Sequence, residues 1–274
     1  MTVDNTHAGH STAPSGVLIA DDGLRLDLPT TILDAGAHTV DFRIVDAGGS
    51  PITDYVERHD KELHLIAVRR DLAGFQHVHP TRDERGVWHA DLDLTAGVWR
   101  ILADFAPASG RGLTLGADLF VAGDFTPEPL PSASSTATVD GYTVTLDGAL
   151  VPDRGRTLTF RVEHDGAPVT DLEPYLAAYG HLVALRTGDL AYLHVHPDGA
   201  PGDGVTAAGP TISFHATAPT AGDYRLFLDF AHAGAVRTAE FTLHATSVGH
   251  QDVGHGLEHP GHEHHSHEHR GHHH

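Results

Sequence analysis

The tetrapeptide His-Val-His-Pro occurs twice in this chain of 274 residues, at positions 77–80 and 194–197. Each copy follows an apolar run that itself begins with a histidine, His64 in the first case and His181 in the second. The spacing is the same in both copies, since 181 − 64 and 194 − 77 both equal 117. A shared register of this kind indicates an internal duplication, which predicts two domains of the same fold.

Both copies of the tetrapeptide lie among short segments in which apolar and polar residues alternate, such as residues 39–45. The segment 96–105 has a counterpart at 221–230, and both end in Asp-Phe. A period of two predicts β-strands, and the 30 glycines and 16 prolines favour frequent turns over long helices. The sequence therefore predicts an all-β protein with one β-sandwich in each half.

Proline and serine are concentrated between the two halves, and a histidine-rich segment follows the second half. Eleven of the 26 histidines lie after residue 245, where no apolar periodicity remains. The predicted segments are a disordered N-terminus at 1–15, a first sandwich at 16–122, a linker at 123–137, a second sandwich at 138–245 and a disordered histidine-rich tail at 246–274. We expect this tail to bind metal weakly at several positions.

The composition argues against several classes of partner and site. The chain has 37 acidic residues against 17 basic ones, and this formal charge of −20 argues against nucleic acid as a partner. Cysteine is absent and the single methionine is Met1, so any bound metal must be held by nitrogen and oxygen atoms. No segment resembles a membrane span or a signal peptide, which predicts a cytoplasmic protein without a membrane span.

The first copy predicts a β-hairpin that gathers histidines on one face. If residues 63–68 and 74–79 pair around a turn at 69–72, then Val68 pairs with Ala73 and His64 lies opposite His77. His79 follows two residues later and shares that face. The same arithmetic places three histidines together in the second copy.

Three imidazoles on one pleated surface are a suitable ligand set for Zn(II), Cu(II) or Ni(II). Asp104 and Asp229, which end matched strands, are candidate carboxylate ligands or hydrogen-bond partners that orient an imidazole. The complete set of predicted metal-site residues is His64, His77, His79, His181, His194, His196, Asp104 and Asp229. No residue is predicted to be catalytic.

These residues resemble the pattern of YtkA-like bacterial proteins, whose domains are immunoglobulin- or cupredoxin-like. The resemblance lies in His64-Leu65-Ile66-Ala67-Val68, Asp71-Leu72, Phe75-Gln76-His77-Val78-His79-Pro80, Gly97-Val98-Trp99-Arg100 and Asp104-Phe105, and again between His181 and Phe230. It covers most of both halves and implies two immunoglobulin- or cupredoxin-like β-sandwiches in tandem with a copper- or heavy-metal-handling role. In two respects the sequence departs from the pattern, because Trp99 replaces a tyrosine and no secretory or lipoprotein leader is seen.

Three functions are compatible with this sequence. The prediction is a non-catalytic protein of metal homeostasis that binds Cu(II), Zn(II) or Ni(II), with metal ions as partners and a metal-transport protein as a candidate partner. The first alternative is a metal-free structural or interaction tandem. The second is a cupin-like metalloenzyme, because Glu84 follows His77-Val78-His79 at a suitable spacing, although residues 198–202 of the second copy contain no glutamate.

Overall fold

The computed structural model describes residues 13–108, 110–193 and 195–246. Over these ranges the chain is all β, and its strands form two sandwiches in tandem, which confirms the predicted fold class. The described residues include no helix with the length and apolar character needed to cross a bilayer. The predicted disordered ends fall mostly outside these ranges, but the Ser15 carbonyl accepts a hydrogen bond of 2.8 Å from the Tyr192 amide.

In the first repeat, two mainly antiparallel sheets pack face to face. Its strands are β1 (Ala20–Asp21), β2 (Leu24–Asp27), β3 (Ile32–Asp34), β4 (Gly36–Val45), β5 (Leu63–Arg69), β6 (Phe75–Val78), β7 (Thr81–Arg82), β8 (Trp88–Leu94), β9 (Gly97–Phe105) and β10 (Leu113–Ala122). One sheet has the order β1-β2-β4-β8-β7 and the other β3-β10-β9-β5-β6. Strand β8 shows why they pack: every second residue from Trp88 to Leu94 is buried, as the period of two requires.

The second repeat has the same arrangement. Its strands are β11 (Thr136–Val139), β12 (Tyr142–Asp147), β13 (Gly155–His164), β14 (Ala167–Pro168), β15 (His181–Arg186), β16 (Tyr192–Leu193), β17 (Val195–Pro197), β18 (Thr211–Thr217), β19 (Gly222–His232) and β20 (Ala235–Ala245). One sheet has the order β11-β12-β13-β18-β17, with β14 beside β13, and the other has the order β16-β15-β19-β20.

The two repeats pack against each other through a third apolar cluster. Ile66 and Val68 of β5 meet Val183 and Leu185 of β15, and all four are at most 2% exposed. This contact explains why both strands are near-continuous apolar runs, since each is buried on its inner face and again on the face turned to the other repeat. The predicted linker also lies on this cluster through Leu130.

Two stacked aromatic rings strengthen the contact between the repeats. Phe75 and Phe227 lie 3.9 Å apart between ring centroids, with their planes tilted by only 5°. Phe227 is 1% exposed, so it is fully withdrawn from water by the packing of the two halves. Burial of a phenylalanine side chain stabilises a fold by roughly 1.5–3 kcal/mol. The repeats therefore form a joint core as well as two separate ones.

The hairpin that carries the histidines has a different register from the predicted one. Val68 pairs with Phe75, and not with Ala73, so residues 70–74 are left between the two strands. The turn is longer because Leu72 and Gly74 both adopt positive φ, 65° and 70°. The shift is two residues, so the same side chains still face the second repeat.

Candidate metal centre

Three histidines of the first repeat converge at the edge where the repeats meet. His64 lies on β5, His77 on β6, and His79 directly follows β6. The Nδ1 atom of His64 lies 3.2 Å from Nε2 of His77 and 3.2 Å from Nε2 of His79. One nitrogen atom from each ring falls in a group whose members all lie within 4.8 Å of one another. The structure thus brings together the three predicted residues of the first copy.

The observed register of the hairpin differs from the predicted one, so different residues lie opposite these rings. His77 lies directly opposite Ile66, and the direct cross-strand partner of His64 is Asp104 on β9. The prediction that His64 lies opposite His77 was therefore wrong. The two rings still meet because diagonal neighbours on one face of a sheet are within reach of long side chains.

The outward nitrogen atoms of two rings already donate hydrogen bonds. Nε2 of His64 lies 3.0 Å from the Arg58 carbonyl oxygen, which can only accept, so Nε2 carries the proton. Nδ1 of His77 lies 2.8 Å from an Asp229 carboxylate oxygen and carries the proton in the same way. In their neutral forms, both rings therefore present a bare lone pair where they face each other at 3.2 Å.

Asp229 reaches His77 from the second repeat, where it lies on β19. Its side chain is 4% exposed, and its other oxygen accepts a hydrogen bond of 2.6 Å from the Thr238 hydroxyl. A carboxylate behind a histidine ring fixes the tautomer and makes the opposite nitrogen atom a better ligand. Asp229 was predicted either to bind the metal ion or to orient an imidazole, and its position fits the second role.

Burial keeps the imidazoles of His64 and His79 uncharged. Removal from water lowers the pKa of His64 to about 4, although the bond to the Arg58 carbonyl partly opposes this. Removal from water and, to a smaller extent, the neighbouring His77 and His64 rings lower the pKa of His79 to about 3. Metal ions bind the neutral imidazole, so these rings are in the ligating form at neutral pH.

Two further histidines surround the cluster. His181 is 8% exposed, and its ring centroid lies 6.3 Å from those of both His64 and His77. Its Nε2 donates to the Tyr175 carbonyl at 2.8 Å, as His64 does to Arg58, and burial lowers its pKa to about 4. His59 lies 5.2 Å from His181 between ring centroids.

Sequence reasoning missed His59 because the repeat gives no signal for it. The matching residue of the second repeat is Leu176, and both have positive φ, 50° and 52°. The turn is therefore duplicated while its side chain is not. The sequence shows only a histidine five residues before His64, and the left-handed turn that places it is visible only in the structure.

The predicted site of the second copy is described only in part. His181 is placed as above, His194 lies outside the described residues, and the side chain of His196 does too. Among the described residues Asp104 bonds no histidine, and its Oδ1 accepts a hydrogen bond of 3.0 Å from the Thr114 hydroxyl. Removal from water raises the pKa of Asp104 to about 6. A second three-histidine site stays a prediction.

Residues 19–121 and 137–247 each match one family model, described as Domain of unknown function (DUF8832). The chain belongs to the DUF8832 family. The two matched ranges coincide with the two sandwiches, so the duplication seen in the sequence is a duplication of the DUF8832 domain. No curated protein matches the sequence. The resemblance to YtkA-like proteins is a separate prediction that the family match does not address.

Several solved structures of bacterial proteins are distantly similar to this DUF8832 tandem. The Escherichia coli adhesin FdeC is 15% identical over 86% of this chain and 65% of its own, with a TM-score of 0.25. Invasin, a bacterial integrin-binding protein, is 15% identical over 82% of this chain and 39% of its own, with a TM-score of 0.24. MtrC from Shewanella baltica is 8% identical over 83% and 70%, with a TM-score of 0.27.

The chain spans less than two thirds of the FdeC and invasin chains that it matches. Similarity at these TM-scores carries no argument about function.

Proposed function

We propose that this protein binds one divalent transition-metal ion, Zn(II), Cu(II) or Ni(II), between His64, His77 and His79, and that it acts in metal handling without catalysing a reaction. The observation that supports this most strongly is that the unprotonated nitrogen atoms of His64 and His77 face each other at 3.2 Å. Two neutral rings whose protons are used elsewhere repel each other at this distance, and a cation between them removes the repulsion.

The spacing of the nitrogen atoms fits a small metal ion. In tetrahedral geometry with metal–nitrogen bonds of about 2.0–2.1 Å, two ligand atoms are separated by roughly 3.3–3.4 Å. The two measured nitrogen–nitrogen distances at His64 are 3.2 Å. A metal ion would therefore enter with little movement of the strands that carry its ligands.

The histidine-rich tail gives this binding a context. Eleven histidines after residue 245 are spaced among glycine and glutamate, a composition typical of weak metal binding at several positions. Together with the buried cluster, the tail suits a protein that collects metal ions and holds one of them more tightly. A cytoplasmic location and a metal-transport protein as a partner remain part of this proposal.

A metal-free interaction tandem is the main alternative, and one observation favours it. Nε2 of His79 lies within 3.2 Å of Nδ1 of His64 and is able to donate a hydrogen bond to it, so part of the cluster is satisfied without metal. The joint core between the repeats also needs no ion. The cupin-like alternative has less support, because Glu84 is exposed and does not belong to the cluster.

Metal titration separates the proposal from its main alternative. A variant that ends at Thr246 keeps every described strand and removes the tail histidines. Calorimetric titration with Zn(II), Cu(II) and Ni(II) is expected to show one ion bound per chain, and substitution of His64, His77 and His79 by alanine should abolish it.

The matched control for this titration is His89→Ala. His89 also bonds an aspartate, Asp41, at 2.7 Å, but its side chain is 34% exposed and it lies outside the cluster. Its loss should leave metal binding unchanged. A tail-less protein that takes up none of the three ions would leave the interaction tandem as the better description.

A further inference from the structure

A cavity of about 370 Å³ lies between the two repeats, directly beside the histidine cluster. His64 and His77 line it from the first repeat, while His181 and Leu182 line it from the second. The volume falls within the range of small-molecule pockets, which is roughly 300–1,000 Å³. The cavity is therefore large enough for a small organic molecule as well as water.

The proposed metal ion would be open towards this cavity. Three imidazoles leave at least one coordination position on Zn(II), Cu(II) or Ni(II) for water or an external ligand. Two of the three ligands, His64 and His77, form part of the cavity wall. An oxygen atom of a bound molecule would thus complete the coordination from the cavity side.

His181 offers a second anchor across the same space. Its Nε2 donates to the Tyr175 carbonyl at 2.8 Å, so the neutral ring keeps Nδ1 as a hydrogen-bond acceptor. Its ring centroid lies 6.3 Å from that of His77, a distance that a molecule of a few heavy atoms bridges. The three-histidine cluster of the first repeat makes no use of His181, so this buried ring is available to a molecule bound in the cavity.

The charges at the cavity favour an anion. Arg58 and Lys61 both line it and neither belongs to an ion pair found among the described residues, while the Asp104 carboxyl, which also lines it, contributes one opposing negative charge. Glu62 lines it as well, but its carboxylate is paired with Arg82 at 3.1 Å. The metal ion adds its own positive charge, since imidazole ligands are neutral. A carboxylate is the simplest anion that also coordinates a transition metal through oxygen.

We infer that the cavity binds a small hydroxycarboxylate, whose carboxylate coordinates the metal ion and whose hydroxyl donates a hydrogen bond to Nδ1 of His181. This inference rests on the proposed metal-binding function and adds a ligand class to it. His181 acts here as a positioning residue for the bound acid. Lys61 supplies charge at the mouth of the site.

Visible absorption of the full-length protein loaded with one equivalent of Co(II) tests this inference. The variant in which His64, His77 and His79 are alanine provides the background from the tail, so the difference spectrum reports the buried site alone. L-lactate is the probe, and propionate is its matched control without the hydroxyl. Lactate is expected to shift the Co(II) bands at about a tenfold lower concentration than propionate, the effect of one added hydrogen bond.

Two variants locate the effect. His181→Phe should remove the preference for lactate while the Co(II) bands persist, and His244→Phe, at an exposed histidine paired with Asp223, should keep it. Lys61→Gln, at an exposed position where folding is not at risk, should weaken both acids about threefold and keep the preference.

The outcomes distinguish the two proposals. Absence of Co(II) bands in the difference spectrum would overturn the metal site itself. Bands that respond equally to lactate and propionate, or that keep the preference in His181→Phe, would overturn the hydroxycarboxylate inference and leave the metal site standing.

Discussion

The two DUF8832 repeats hold equivalent histidines in the same way but surround them differently. His64 and His181 are 117 residues apart, and each donates its Nε2 proton to a backbone carbonyl six residues earlier, Arg58 or Tyr175. In the first repeat two more imidazoles meet the ring at 3.2 Å. In the second repeat the ring lies beside His59 and Tyr175 among the described residues, at the cavity that His64 also lines. The backbone frame is therefore shared, while the surroundings of the ring decide its use.

The matched aspartates differ in the same way. Both accept a hydrogen bond from a threonine of their own repeat, and among the described residues Asp229 accepts a further one from His77 of the other repeat. Burial, together with the nearby Asp104, raises the pKa of Tyr192 well above its ordinary value, which keeps that hydroxyl neutral. Duplicated positions thus carry one carboxylate that serves the imidazole cluster and another that belongs to the cavity wall. Variants of these matched positions can break or sharpen the comparison.

The largest effect is expected at the contact on which the comparison depends. Phe227→Ala should lower the free energy of unfolding by about 3–5 kcal/mol, because it removes the stack on Phe75 and leaves a cavity in the joint core. Urea unfolding measures the loss. Val236→Ala, at a side chain 46% exposed, is the control and should change stability by less than about 0.5 kcal/mol. Equal small losses from both would mean that the repeats do not pack together in solution.

Substitution of one histidine by alanine in each repeat tests which ring binds metal. His77→Ala should weaken metal binding by about a hundredfold or more, since it removes a ligand and leaves Asp229 without its partner. His181→Ala should change it by less than about threefold. Competition with a chromophoric chelator measures both affinities. Comparable losses from the two variants would place the ion between the repeats, with His181 as a ligand.

The aspartates provide a subtler version of the same test. Asp229→Asn should weaken metal binding by about 10–100-fold, because an amide no longer fixes the His77 tautomer through a carboxylate. Asp104→Asn, its match in the first repeat, should have an effect below about threefold. The same chelator competition applies. A larger effect from Asp104 would show that the cavity wall supplies the ligand and that the cluster does not.

The smallest effect concerns the loop by which the second repeat exceeds the first. Hydrogen bonds from the Thr206 hydroxyl and amide, and from the Val205 and Ala200 amides, lower the pKa of Asp203. A carboxyl group whose pKa is lower in the folded loop stabilises that loop at any pH above its unfolded pKa of about 4. This stabilisation is lost as the pH falls from there towards the folded pKa. The backbone amides of Val205 and Thr206 should therefore lose protection against hydrogen exchange in acid, relative to other loop amides. In Asp203→Ala the same amides should lose this protection already at pH 7. Equal protection in both proteins would contradict this account of the loop.

Much of the fold was predictable because it depends on local pattern. Alternation along segments such as 39–45 predicted strands, and the offset of 117 predicted two copies of one sandwich. The hairpin register was not predictable from the same pattern. It depends on Leu72 adopting a positive φ of 65°, which no feature of a leucine side chain favours.

The site was predictable only as far as it lies within one repeat. His64, His77 and His79 were chosen from spacing along two neighbouring strands, and the structure gathers them. The bond between His77 and Asp229 joins residues 152 positions apart across two domains, and spacing along the chain contains no information about how domains dock. The apolar runs of β5 and β15 were the one available sign that a second face is buried.

The hydrogen bond from His77 to Asp229 has a consequence for symmetry. The apolar cluster between the repeats contains matched residues, Ile66 with Val183 and Val68 with Leu185, as in a contact between identical subunits related by a two-fold axis. A chain with a single repeat would obtain the same carboxylate from a second copy of itself and would carry two identical half-sites. Joining both copies in one chain removes the requirement for identity. The two halves are then free to differ around a shared histidine pattern, as Tyr175 and Leu176 do from Arg58 and His59.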